Sequence, residues 1–395
     1  MASDRDSLAG TGILLSLVAS GRARTRADLT TLSGLSRNTI GSRLKALLDA
    51  GLLYEDDETM HSGGRPTKML ALGVDFGLIL VADIGETSMR LAVTDLRPSV
   101  LIDEIFDVDL GTGPETNLVS IAGKFIALLA RLGRRLGEVI GVGLSLPAPV
   151  DYAAGRVFGP SVMAGWDDFD IRAWLENRLG VPVLVENDVN LLTLYEWRTF
   201  WPGCDHLFFI KFGSGIGSGI ISDGRIYRGA QGAAGDIGHI QLANEPRPLC
   251  RCGKYGCVEA WAAGWAMVRD LRAQGLSPKG SRDIVRMVRE RQCEAVAAAQ
   301  RAGQVLGEVT ADVVSVLNPG VIVIGGTLST LGASLFDEVN AVVAERVLPL
   351  AKRDLRIEPA RSDSDAGLLG AALLVKEVRL SPGVVEATIA SLDEI

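Results

Sequence analysis

The spacing of apolar positions changes once along this chain, near residue 70. Before that point it is helical. Leu14, Leu15, Leu17 and Val18 predict a first helix that ends near Gly21. Thr25-Arg-Ala-Asp28 has the form of a capping box, and Leu29 and Leu32 then share one face of a short second helix. Gly34 and Leu35 make a turn. Ser36 can cap a third helix, in which Ile40, Leu44, Leu47 and Leu48 repeat at helical spacing until Gly51 closes it. Helix, glycine-containing turn, helix is the layout of a helix-turn-helix. From about Ala71 the pattern becomes one of buried strands: Leu78 to Asp83, Met89 to Asp95, Val100 to Phe106, Val139 to Leu146, Val181 to Glu186 and Leu207 to Phe212. Helical stretches from about Glu115 to Gly133, Ala260 to Leu271 and Ser281 to Leu317 lie between them. Periodicity alone gives α/β for this part and nothing finer.

Charge sharpens the reading of the first 70 residues. The whole chain is acidic, with a formal net charge of −8, yet the balance from Arg22 to Arg43 is basic. The exposed face of the third helix carries Arg37, Asn38, Thr39, Ser42, Arg43 and Lys45, side chains able to reach base edges and phosphates in a major groove. Ser62-Gly-Gly-Arg65-Pro66 follows, and a hairpin wing would bring Arg65 to the adjacent minor groove. The competing reading is a small dimerisation cap with a solvated charged face.

The 395 residues predict two or three domains, and 47 % apolar residues suffice for their cores. The first ten residues have no apolar run of signal length, and no stretch of about 20 uninterrupted apolar residues occurs, so a cytoplasmic protein without a membrane span is expected. Five cysteines fit a reducing compartment better than a disulfide scaffold. Three of them, Cys250, Cys252 and Cys257, stand close to His239, one of only three histidines. One imidazole and three thiolates form a complete tetrahedral set for a structural Zn²⁺, with no position left for water. Gly253 and Gly256 let the backbone turn tightly enough for Cys252 and Cys257 to share one ion. Unpaired cysteines in a surface loop are the alternative.

The segment Asp236-Ile-Gly-His239, followed by Cys250-Arg-Cys252-Gly-Lys-Tyr-Gly-Cys257-Val-Glu259, resembles the signature of the ROK family, which groups sugar-responsive repressors and sugar kinases. It departs from the pattern in having Asp for Glu at 236. The Gly-Gly-Arg-Pro wing resembles that of ROK repressors, a region that stand-alone ROK kinases lack. The resemblance covers roughly residues 8 to 376. It implies a winged helix-turn-helix over 1–70, followed by a two-lobed actin-like ATPase (RNase H-like) sugar-kinase fold. The first lobe would take 71–190 with a returning helix at about 363–378, and the second 191–362 with the zinc loop 236–259. It further implies that His239 turns one ring edge to the metal and lies against the sugar. Glu259 would accept sugar hydroxyls, and Asp236 and Ser161 would belong to the same site, Ser161 standing where kinases often have Asn.

In Val181-Pro-Val-Leu-Val-Glu186-Asn187-Asp188 a buried strand ends in polar residues that open a helix. Asn187 can bracket a sugar diol, and Asp188 can accept a hydroxyl proton as general base in a kinase, or a hydroxyl hydrogen bond in a sensor. A plain helix N-cap is the alternative. Asp83, Gly85 and Thr87 resemble the first phosphate turn of the kinases, Gly213, Ser214 and Gly215 the second, and Gly325 with Gly326 the pair under adenine. Glu86 and Ser88 stand where the family has Gly and then Lys or Asn. A carboxylate at 86 repels a triphosphate, so ATP and Mg²⁺ enter only if the chain is a kinase. The expectation is therefore a sugar-responsive transcriptional regulator, a repressor, that binds operator DNA as a homodimer or homotetramer and senses a sugar or sugar phosphate. The alternatives are a glucokinase or N-acetylglucosamine kinase carrying a DNA-binding domain, and a constitutive DNA-binding protein whose zinc domain only dimerises.

Overall fold

The computed structural model describes residues 10–49, 51–60, 67–73, 77–159 and 163–392. Contacts divide the chain into two compact units. The first holds Met1–Ser145, Phe169–Glu186 and Ala371–Ile395, the second Leu146–Asp168 and Asn187–Gly370. The segment 146–168, expected with the first lobe, thus clusters with the second unit.

The first unit opens with helices α1 (Thr11–Ala19), α2 (Arg26–Ser33) and α3 (Arg37–Asp49), then strands β1 (Leu53–Met60) and β2 (Thr67–Leu72). The predicted capping box forms: Thr25 Oγ1 accepts from Asp28 N at 3.1 Å, and Asp28 Oδ2 accepts from Thr25 N at 2.9 Å. Ser36 Oγ accepts from Thr39 N at the head of α3. Gly34 ends α2 at φ 68°, a left-handed turn that glycine adopts without steric cost. Leu14, Leu15, Leu29, Leu44 and Leu47 are completely buried between these helices, so the helical periodicity of the sequence is the packing face. The strands pair antiparallel, with Leu53 opposite Leu72. The tip between them, with Arg65, lies outside the described residues.

Next comes a five-stranded sheet built from β3 (Leu78–Ile84), β4 (Ser88–Thr94), β5 (Val100–Asp107), β6 (Val139–Leu146) and β7 (Val183–Asn187). Its order is β5-β4-β3-β6-β7, antiparallel from β5 to β3 and parallel from β3 to β6. Helices α4 (Pro114–Arg131) and α5 (Ile171–Leu179) complete this layer. β3 is apolar on both faces and nearly wholly buried, as a central strand covered on both sides must be.

The second unit repeats the plan. After α6 (Asp188–Phe200) come β8 (Leu207–Phe212), β9 (Ile216–Ser222), the short β10 (Arg225–Ile226), a long connection through the cysteine cluster, and helices α7 (Val258–Ala262), α8 (Gly264–Ala273), α9 (Ser281–Arg289) and α10 (Cys293–Leu317). Then follow β11 (Val321–Gly325), α11 (Ala333–Arg346) and β12 (Arg356–Pro359). The sheet order is β10-β9-β8-β11-β12, again antiparallel for the first three strands and parallel beyond β8. Helix α6 presses so closely on β9 that a Cβ at Gly219 would lie 2.0 Å from Thr193 Oγ1, so only glycine fits there.

The helix α12 (Ala366–Arg379) carries the chain back into the first unit at Ala371, and α13 (Pro382–Leu392) follows it. α13 packs on α1. Gly10 N donates to Glu386 Oε1 at 2.9 Å, and a Cβ at Gly12 would meet Pro382 O at 2.5 Å. Residues 382–392, uninformative as sequence, thus pack on the first described helix.

Candidate metal and sugar site

The connection from β10 to α7 winds into a tight knuckle. Cys250 N donates to Lys254 O and Gly253 N to Cys250 O, both close to 3 Å, while Gly253 and Gly256 sit at φ 85° and 77°. Val258 N donates to Ile240 O, and Gln241 bridges Cys257, so the strand-like segment after His239 is tied to the end of the knuckle. The outcome is the cluster expected from composition: one ligand atom from each of His239, Cys250, Cys252 and Cys257, all within 4.8 Å of one another. Cys252 Sγ and Cys257 Sγ are 3.7 Å apart, as are Cys250 Sγ and His239 Nδ1. A tetrahedron with metal–sulfur bonds of about 2.3 Å has edges of about 3.8 Å, so the donor set fits a single Zn²⁺ in both chemistry and spacing.

Ionisation makes the same point. Burial pushes the Cys257 thiol up to about 12 and raises Cys250 as well. Burial also opposes ionisation of Cys252, but hydrogen bonds from the Lys254 N–H and the two neighbouring cysteines outweigh it and lower that thiol. Burial thus opposes ionisation at all three thiols, and only at Cys252 do hydrogen bonds outweigh it. A divalent metal is the group that would ionise all three. His239 faces the cluster with Nδ1, which leaves Nε2, on the opposite ring edge, for a ligand.

Glu259 lies two residues beyond Cys257, in the first turn of α7. A Cβ at Gly215 would sit 3.4 Å from its Oε1, and one at Gly238, beside His239, 3.3 Å from its Oε2. The carboxylate is therefore seated between the β8–β9 turn and the backbone next to the metal-facing histidine. Trp265 Nε1 donates to Glu259 Oε1 at 2.8 Å and holds it there. Fixed in this way, the acceptor loses little entropy when a hydroxyl donor arrives. Asp236 is exposed two residues before Gly238.

Asp188 opens α6 and is mostly buried. Its Oδ2 accepts from Lys211 Nζ at 2.5 Å. Asn187 is the N-cap of α6: its Oδ1 accepts from Val189 N and Asn190 N, and its Nδ2 donates to Ala148 O. The helix-cap alternative for Asn187 is thus what its amide does. Ser161 lies outside the described residues.

The two glycine turns differ. Asp83, Gly85, Glu86 and Thr87 form the β3–β4 turn, closed by Gly85 N donating to Ser88 O, with Glu86 and Thr87 exposed. Gly213, Ser214 and Gly215 form the β8–β9 turn, closed by Gly213 N donating to Gly215 O. Its carbonyls are taken up by α8, because Gly264 N donates to Gly213 O and Trp265 N to Ser214 O. Gly325 and Gly326 end β11. A Cβ there would collide with the Phe209 ring at 2.6 Å and with Phe212 O at 2.5 Å, so close packing on β8 already requires both glycines.

On α3, Arg37, Asn38, Ser42 and Lys45 are exposed. Lys45 pairs with Asp49 one turn on. Thr39 is half-buried and shares a hydrogen bond with Ser36. Arg43 is half-buried too, and its guanidinium lies against Gly10, so it turns toward the start of α1.

Two residues of this region were not singled out in the sequence. Lys211 had a signal, a lone cation inside the apolar run Leu-Phe-Phe-Ile-Lys-Phe. Trp265 had none, because nothing in its spacing from Glu259 predicts a hydrogen bond.

Matches to known proteins divide by coverage. The model of the ROK family matches residues 79–378. The xylose repressor of Bacillus spizizenii is 25 % identical over 354 residues, which cover 89 % of this chain and 91 % of the repressor. The crystal structure of a ROK family transcriptional regulator, a homolog of the E. coli MLC protein, has a TM-score of 0.81 at 27 % identity, covering 96 % of this chain and 98 % of that one. The crystal structure of a ROK family glucokinase from Streptomyces griseus, in complex with glucose and AMPPNP, has a TM-score of 0.62 at 28 % identity. It covers 75 % of this chain and 99 % of the kinase.

Proposed function

The chain belongs to the ROK family, and from that premise we propose that it is a sugar-responsive transcriptional repressor in which a winged helix-turn-helix reads operator DNA and a zinc-braced site in the second unit holds the sugar. One observation carries the choice between regulator and kinase. The family domain begins at residue 79, and the residues before it fold into three helices and a hairpin whose third helix presents Arg37, Asn38, Ser42 and Lys45 to solvent. The regulator matches extend over that head, whereas the glucokinase covers three quarters of the chain.

In this reading Zn²⁺ is held by His239, Cys250, Cys252 and Cys257, and when bound it fixes the imidazole ring and the knuckle. Glu259 and Asp188 accept sugar hydroxyls, and His239 Nε2 meets the same ligand. Asn187 holds the start of α6 and so positions Asp188 beside the diol that its amide brackets. With one Asp188 oxygen accepting from Lys211, and with Glu86 at the first turn, the groups suit binding better than phosphoryl transfer. The protein acts as a dimer, so that two recognition helices meet two half-sites. A sugar that binds one state of the chain more tightly than the other changes operator affinity by that difference, and DNA changes sugar affinity by the same factor.

The test is a gel-shift series on the operator region with xylose, glucose and N-acetylglucosamine and the corresponding 6-phosphates where they exist. At least one ligand is expected to move operator affinity by about fivefold or more. Operator affinity that no ligand moves, with zinc present, would leave a constitutive DNA-binding protein.

A further inference from the structure

Three large apolar side chains stand further into solvent than any others among the described residues: Val316 at 81 %, Leu350 at 77 % and Leu348 at 76 %. They come from two stretches of sequence that end together in the second unit. Helices α10 and α11 run side by side in the same direction. A Cβ at Gly303 would lie 2.9 Å from Leu335 O, and one at Gly307 2.8 Å from Val342 Cβ. Further along, Arg346 Nη2 donates to Asp312 Oδ1 at 2.9 Å. Both C-terminal ends therefore lie next to each other. Val316 and Leu317 occupy the last turn of α10, one turn beyond Asp312. After Arg346 the chain turns Val347 and Ala351 into the core, which leaves Leu348 and Leu350 outside. Monomers rarely expose contiguous apolar patches beyond a few hundred Å², and four such side chains reach that scale. A standard interface takes about 800 Å² from each partner, with an apolar centre and a polar rim. The patch has the size of such a centre.

Its rim says what fits it. Arg346, Lys352 and Arg353 are matched in number by Asp312, Glu345 and Asp354. Arg346 pairs with Asp312, Arg353 pairs with Asp354, and Lys352 Nζ donates to Ala344 O at the end of α11. The rim is thus neutral, and it offers no attracting field to nucleic acid or to an anionic membrane. A rim of one sign would repel its own copy. A balanced rim meets it in a two-fold contact, where cations of one chain face carboxylates of the other. We propose that a second copy of this chain docks here, about a two-fold axis, with Val316, Leu348 and Leu350 at the centre. The interface stands on the patch alone. Its consequence for DNA rests on the repressor reading, in which two heads meet two half-sites.

The experiment is sedimentation equilibrium of the zinc-loaded full chain, beside gel shifts on the operator region and on a fragment of it that holds one half-site. The wild type is compared with Leu348→Glu/Leu350→Glu and with Val119→Glu/Ile126→Glu, which charges another exposed apolar face, on α4. None of the four side chains is buried, so both variants are expected to fold, and circular dichroism and zinc content check that they do. The wild type should sediment as a dimer at micromolar concentration. Leu348→Glu/Leu350→Glu brings unpaired carboxylates into the dry centre and should raise the dimer dissociation constant by about a hundredfold or more. Its sugar affinity should stay within about twofold of wild type, because the change is remote from that site. The α4 variant should remain a dimer. Affinity for the two-half-site DNA should fall by about a hundredfold in the monomeric variant, with single half-site affinity unchanged. A monomeric wild type overturns the proposal and leaves the face to a partner of other chemistry. A folded Leu348→Glu/Leu350→Glu variant that stays dimeric overturns it, as does loss of the dimer in the α4 variant alone. If the dimer is lost at Leu348 and Leu350 while operator affinity does not change, the interface stands and the two-half-site reading of the repressor fails.

Discussion

The two sheets have the same strand order, yet the turn that follows the first strand of each is used differently. In the first unit the turn from Asp83 to Thr87 closes on itself through Gly85 and Ser88, and its tip points Glu86 and Thr87 into solvent. In the second unit the turn from Gly213 to Gly215 closes in a similar way, but α8 donates two backbone N–H groups to it and Glu259 packs against Gly215. The backbone plan is common to both. What differs is the set of elements docked on the turn. Phosphoryl transfer needs positioned, neutralised phosphates, and a carboxylate at the tip of one turn works against that. A sugar receptor needs only the second turn and the metal knuckle behind Glu259. The asymmetry between the turns is the physical content of the choice between sensor and kinase.

The largest effect should come from breaking the knuckle that supports the second turn. Cys257→Ser, or removal of metal by a chelator, takes one ligand from a set whose binding free energy is on the order of 10 kcal/mol in small zinc domains. Zinc measured by elemental analysis should fall from one equivalent to well below half, and sugar affinity by calorimetry should drop by about a hundredfold or more as His239 and Glu259 lose their support. Glu86→Gly, the matching change at the first turn, should leave both readouts unmoved. Were Glu86→Gly to weaken the sugar as much as Cys257→Ser, the two turns would not differ as argued.

The next effect is on DNA. Arg37→Ala removes an exposed cation from the first turn of α3 and should weaken operator binding by about 1–3 kcal/mol, with relaxed specificity at one base pair if the contact is to a base edge. Arg43→Ala should cost less in DNA binding, because that side chain lies against Gly10. A gel shift at fixed salt on both variants compares them directly, and equal losses would place Arg43 at the DNA after all.

Asp188→Asn ranks third. It keeps an acceptor for Lys211 but loses the charge, so sugar affinity should fall by about tenfold, the scale of one charge-assisted hydrogen bond. In a coupled ADP-release assay with glucose, N-acetylglucosamine and xylose, the wild type should stay at background. Turnover in the wild type that disappears in Asp188→Asn would make the chain a kinase and would show that a charged first turn can still hold a triphosphate.

These residues also show how far the sequence could be read. The head was legible because helical repeats and caps are local: Thr25, Asp28, Gly34 and Ser36 act on neighbours a few positions away. The cysteine cluster was legible because rare residue types crowd a short segment, and the family signature extended that to Glu259. Asn187 was half legible. Its place at the mouth of a helix was clear, but the bond from its Nδ2 to Ala148 O, a partner 39 positions away, was not. Long-range partners of this kind are invisible to periodicity. The same holds for Lys211 with Asp188, for Trp265 with Glu259, and for Glu196, fully buried and accepting from Arg361 N and Ser362 N. The segment 146–168 clusters with the second unit although nothing in its composition marks a boundary there.

The smallest predicted effect is a control that separates the head from the sugar unit. Asp28 closes the capping box of α2, and Asp28→Ala removes that half while Thr25 still accepts from the helix. The expected loss is about 0.5–1 kcal/mol of local stability, read as roughly threefold faster hydrogen exchange of the α2 amides relative to wild type. Its pH dependence has a definite sign. The Arg24 N–H, opposed by burial and helped by the Thr25 hydroxyl and N–H, holds the Asp28 carboxyl below the usual carboxylate range. A carboxyl lowered in the folded state contributes stability that is present above that range and lost as pH falls through it. The ratio of variant to wild-type exchange should therefore be largest near neutral pH and shrink toward one in acid, while zinc content and sugar affinity at neutral pH stay at wild-type values. A ratio independent of pH would mean that the aspartate acts through packing of the helix start and not through its charge.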